Sequence, residues 1–165
     1  RFFMCAAQED MPMPNIQQSL DAYGESQQHP VNKRIHWLCV PAIFFVVYGL
    51  VRCLPQPVWF GHVSWAALLL LMAVGYYFVL SKHLAVGFVL WAALVYGGNE
   101  WLLGEGGRGG LGGVSAVVFV VAWVGQFIGH HIEGKKPSFL QDVQFLLIGP
   151  AWLMAFVYRK LGIKI

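Results

Sequence analysis

Apolar residues fall in long blocks along this chain, and polar residues interrupt them at only a few places. Residues 1–28 are polar, with Gln, Asn, Ser and Pro prominent. Within them Asn15 is placed to cap a short helix whose Ile16, Leu20 and Tyr23 recur at i, i+4 and i+7. That pattern suits a helix lying at a membrane interface. Pro30, just after His29, suits the first turn of the next helix. Four apolar stretches follow, at about 36–54, 59–80, 84–103 and 111–130, each near the ~20 residues that span a bilayer. Pro41 falls inside the first, where neighbouring helices can satisfy the freed backbone. The glycine-rich run at 104–113 lacks the Lys-Ser/Thr of a phosphate-binding loop and reads as a flexible connector. A last apolar segment, about 139–158, is interrupted by Gly149-Pro150 and either crosses the membrane as a fifth segment or dips and returns.

Composition turns those blocks into a class. The 165 residues are 58% hydrophobic and 12% charged, with a mean hydropathy of +0.59, whereas soluble domains carry about 25% charge. Intrinsic disorder is excluded by the same figures. A net charge of +3 from scattered residues gives no basic stripe for nucleic acid. The predicted fold class is all-α: a polytopic integral membrane bundle of about four transmembrane helices, with an interfacial amino-terminal helix and the re-entrant or fifth carboxyl-terminal segment. It forms a single membrane domain over 1–165, with 1–14 expected to be disordered or a processed end. Cys5, Cys39 and Cys53 have no paired spacing and form no disulfide or thiolate metal motif.

Charge orients the bundle. Lys33, Arg34, Lys82, Lys135 and Lys136 share one side, and only Arg52 and Arg108 lie opposite. The positive-inside rule then predicts a cytoplasmic amino terminus, in a bacterial inner membrane or an endoplasmic reticulum. An even number of crossings returns the end of the fourth span to the face where the first begins. His29, Asn32 and His36, at i, i+3 and i+7, therefore share that face with Gln126, His130 and Glu133, at i, i+4 and i+7. Two histidines and a carboxylate with open positions suit non-haem Fe(II) and O₂, and the same donors suit zinc. His131 points about 100° from His130 on a helix and is read as structural or as orienting a ligand. His62 and His83 are read as interfacial. Lys135 and Lys136 are read as a membrane anchor, with contact to a substrate carboxylate as the alternative for Lys33 and Lys136. Two other classes remain open on these residues: a non-catalytic scaffold or proton-relaying carrier, and a zinc-dependent lipid hydrolase.

Two segments carry a family resemblance. YGESQQHPVNKRIHWLCVP (23–41) and WVGQFIGHHIEGKKPSFLQD (123–142) resemble the signature blocks of the 2-hydroxy fatty acid dioxygenase family. Asn32, Lys33, His36 and Pro41 match the first block; Gln126, Gly129, His130, Glu133 and Pro137 match the second. The resemblance runs from about residue 16 to the carboxyl end. It implies a small multi-spanning enzyme that uses Fe(2+) and O₂, without 2-oxoglutarate, to shorten a 2-hydroxy fatty acid by one carbon. The family reads His-x-Asn-Pro where this chain has Gln27-Gln28-His29-Pro30, so Gln27 stands where an iron ligand is expected. The implied ligand set is His36, His130 and either His29 or Glu133, with Gln27, Asn32 and Gln126 orienting them. The implied partners are the 2-hydroxy fatty acid, O₂ and membrane lipid.

Overall fold

The computed structural model describes Leu20, Gly24 and residues 28–57, 63–134 and 139–163. These are all-helical, with no strand among the described residues. The helices are α1 (Pro30–Arg52), α2 (Trp65–Leu80), α3 (Lys82–Glu133) and α4 (Phe139–Lys160). Two of them, Pro30–Arg52 and Lys82–Glu133, are long and apolar enough to cross a membrane, and Trp65–Leu80 is apolar but shorter.

Local chemistry sets the boundaries of α1. Pro30 occupies its first turn, where the absent N–H is one the helix leaves unpaired anyway. His29 is the N-cap, and its Nδ1 accepts from the Val31 amide at 3.2 Å. Pro41 sits inside without ending the helix, and Pro55 and Pro57 bar its continuation past Arg52.

The 52 residues of α3 do not form one rod. Asn99 and Ser115 are sixteen positions apart, about 24 Å along a straight helix, yet both side chains crowd the same point over Gly49 of α1. The chain therefore folds back between them. The break is Gly107, with φ 60° and ψ −171°, a backbone region that is essentially glycine-only. This corrects the expectation of a flexible connector at 104–113: the glycines on either side of Gly107 are helical. Reversal needs only one residue to leave the helix, and the packing of both limbs on α1 outweighs the low helix propensity of the rest. The two limbs contain the expected stretches 84–103 and 111–130.

Packing fixes the order of the limbs. The first runs parallel to α1, with Phe88 against Phe44 at 5.5 Å between ring centroids and Glu100 paired with Arg52 at 2.6 Å. The second runs antiparallel to α1, from Gly112 beside Cys53 to Gly129 beside Asn32. The start of α1 and the end of α3 thus meet at one end of the bundle.

Two further expectations change at the periphery. The 139–160 segment is one helix containing Pro150, not a dip and return. Ala151 and Ala155 pack in the core with Tyr77, Leu84 and Phe88, and the Tyr77 hydroxyl donates to the Leu147 carbonyl. That packing outweighs one lost helical hydrogen bond. The predicted Asn15-capped helix lies outside the described residues except for Leu20 and Gly24, both helical. Leu20 is buried in the same core cluster rather than resting at an interface.

Candidate functional site

The convergence predicted from the even number of crossings occurs at the shared end of α1 and α3. His36 and His130 stand edge to face, with ring centroids 5.3 Å apart and planes at 87°. Both are buried, at 2% and 8% exposure. His36 Nδ1 lies 3.1 Å from the Asn32 carbonyl. A carbonyl only accepts, so Nδ1 carries the hydrogen and Nε2 keeps the lone pair.

Glu133, one turn beyond His130, closes the end of the bundle. Its Oε1 accepts from the Gln28 amide at 2.9 Å. Its Oε2 accepts from the His29 amide and the Asn32 Nδ2, each at 2.9 Å. The carboxylate thus binds the two backbone amides just ahead of α1, those of Gln28 and the N-cap His29, at the positive end of the helix dipole. Glu133 lies past the apolar stretch that ends at His130. Burial works to raise its pKa, but the hydrogen bonds from Asn32, His29 and Gln28 prevail and hold it below the usual carboxylate range.

The other expected residues divide plainly. Asn32, fully buried, links His36 and Glu133. Gln126 is buried one turn before His130. His29 is exposed, with its Nδ1 engaged in capping. His131 is exposed, as its angular offset from His130 predicts. Lys33 is half-buried on the first turns of α1. Gln27 and Lys136 lie outside the described residues, as does His62. Among the described residues no group of three or more His, Cys, Asp and Glu side chains stands close enough to hold a metal. The structure therefore joins His36 to His130 and ties Glu133 to the backbone of α1.

One contributor, Gly129, entered from sequence only as a match to the second block, without a role. A Cβ on Gly129 would collide with the Asn32 side chain and reach within 3.6 Å of His36 Cε1. The missing side chain is what lets α1 approach closely enough for the two imidazoles to meet. The available signal was Gly125-x-x-x-Gly129, small residues four apart in an apolar helix, which mark close helix contact.

Residues 13–161 match the family of 2-hydroxy-palmitic acid dioxygenase Mpo1-like proteins. The chain belongs to that family. No curated protein and no solved structure matches it. The match takes in both ends of the site, α1 with His36 and the end of α3 with His130 and Glu133. The iron that the resemblance implies meets a partial fit in this Mpo1-like chain. His36 offers an imidazole in the tautomer that leaves Nε2 as donor, held from behind by a backbone carbonyl as metal-binding histidines commonly are. His130 supplies a second imidazole in contact with it.

Proposed function

We propose that this protein is a polytopic membrane dioxygenase that removes one carbon from 2-hydroxy fatty acids, with Fe(II) held at His36 and His130. The observation that carries this reading is the meeting of two buried imidazoles from separate helices at one end of the bundle. The third ligand comes from His29 or Glu133, which both stand at that end. The family name gives the substrate class.

The balance of the reaction fits a site with no second oxidisable substrate. A 2-hydroxy acid and O₂ yield the acid one carbon shorter, carbon dioxide and water. The fatty acid supplies all four electrons that O₂ accepts, so 2-oxoglutarate has no part. Iron, when bound, supplies O₂ activation and a Lewis acid for the oxygens of the hydroxy acid. The chain supplies position. Asn32 holds His36 in one tautomer through its carbonyl and holds Glu133 through its amide. Gln126, one turn before His130, orients the same corner. Lys33 and Lys136 attract the fatty acid carboxylate.

The bilayer is where such a substrate dissolves. Four crossings are assigned to α1, α2 and the two limbs of α3. The histidine end is assigned to the cytoplasmic face, because Lys33, Arg34 and Lys82 stand there while Arg52 and Arg108 stand at the other end.

Anaerobically purified protein is expected to hold stoichiometric iron and to convert 2-hydroxypalmitate to pentadecanoate in the presence of O₂. His36→Ala and His130→Ala are each expected to lose both metal and turnover while keeping their helix content. Zinc in place of iron, with lipid hydrolysis and no O₂ uptake, favours the hydrolase. Iron and turnover retained in both variants overturn the proposal.

A further inference from the structure

A cavity of about 350 Å³ lies between α1, α2 and α4. Phe44, Val47 and Tyr48 of α1, Leu70 and Ala73 of α2, and Leu147 of α4 form walls that are almost wholly apolar. An apolar cavity of about 150 Å³ stays dry and takes a six-carbon ring, so this one has room for on the order of ten chain carbons.

Its depth is as informative as its volume. Phe44 to Tyr48 lie eight to twelve residues beyond His36 on α1, a rise of about 12–18 Å. One leaflet of the bilayer hydrocarbon, half of about 30 Å, is the depth that a lipid acyl chain fills. A fatty acid with its carboxylate at the histidine end would therefore finish its chain at this level. Helix α4 packs along α1 at both levels. Leu147 stands at the cavity wall, and Phe156 packs on Trp37, the neighbour of His36, at 5.2 Å between ring centroids.

We propose that this cavity receives the distal methylenes of the substrate's acyl chain and so sets chain-length preference, an inference that rests on the fatty acid reading above. Chains too short to reach it lose its apolar contacts, and chains too long for it outrun its apolar walls.

The test is direct binding, with turnover as a second readout. The whole protein in phosphatidylcholine nanodiscs is loaded with a fluorescent polyene fatty acid and titrated with saturated acids from octanoate to stearate. Ala73→Phe fills the cavity. Met72→Trp narrows it from a lining position that is 65% exposed, so folding is spared. In both variants the tightest-binding chain is expected to shorten, each excluded methylene weakening affinity about fourfold, while octanoate binds as to the wild type. Turnover of 2-hydroxy acids is expected to shift the same way. An unchanged binding profile in both variants overturns the proposal whether or not turnover persists. Failure of free fatty acids to displace the probe against the phosphatidylcholine background assigns the cavity to bilayer lipid and also overturns it. A shifted profile with no turnover of any 2-hydroxy acid by the wild type supports the cavity assignment and refutes the catalytic reading instead.

Discussion

At the scale of single residues, the site depends on what is missing at Gly129 as much as on what is present at His36 and His130. Gly129→Ala introduces a methyl group where the Asn32 side chain already stands. Overpacking of this kind costs about 1–3 kcal/mol, and relief by displacing α1 separates the imidazoles. We expect a lowered unfolding temperature and an iron content reduced well below that of the wild type; wild-type values for both would show that the contact is slack. Glu133 makes a pH prediction. Its carboxyl titrates below the ordinary range when folded, against about 4.3 unfolded. Its contribution to stability is therefore full above the unfolded value and is lost as pH falls through the folded one. Unfolding measured across acid pH is expected to lose its slope in part in Glu133→Gln. Identical slopes in the two proteins would remove Glu133 from the cap of α1.

At the scale of elements, the hairpin of α3 brings His130 back to the end where His36 begins. Gly107 has φ 60° and ψ −171°, where a side chain costs on the order of 1–3 kcal/mol. Gly109 is exposed and helical with open space around its Cα, where alanine gains about 1 kcal/mol over glycine. Gly107→Ala is therefore expected to lower the unfolding temperature and Gly109→Ala to leave it unchanged or raise it. Equal effects would mean that the turn is spread along the glycine run. At the other end of the hairpin, Arg52 grips Glu100 through both oxygens, at 2.6 and 3.2 Å. α1 is thereby tied to the first limb at one end and to the second limb, through Glu133, at the other.

At the scale of the whole molecule, the arrangement carries a topology. Arg108 and the amino terminus of α1 lie at opposite ends of the bundle. In intact membranes an Arg108→Cys variant, with Cys5, Cys39 and Cys53 replaced, is expected to react with an impermeant maleimide only from the non-cytoplasmic side. Labelling from the cytoplasmic side would reverse the orientation or the number of crossings.

The apolar blocks were enough to specify an all-helical chain with helices long and apolar enough to cross a membrane, because their length and lack of charge are set by composition alone. An even count of apolar blocks then placed His36 and His130 at one end, since it depends on counting blocks and on nothing finer. Contact between specific atoms was beyond the pattern. Glycines at 104–113 read as a linker because propensity is local, while the helix they form is held by α1 across the bundle. Glu133 read as a ligand because its spacing on α3 matches that of Gln126 and His130. The structure also gives it the two backbone amides just ahead of α1, which it meets only once Gly129 has let α1 come close. Spacing along a chain fixes which residues share a face; only tertiary packing decides which groups of other helices a carboxylate on that face will meet.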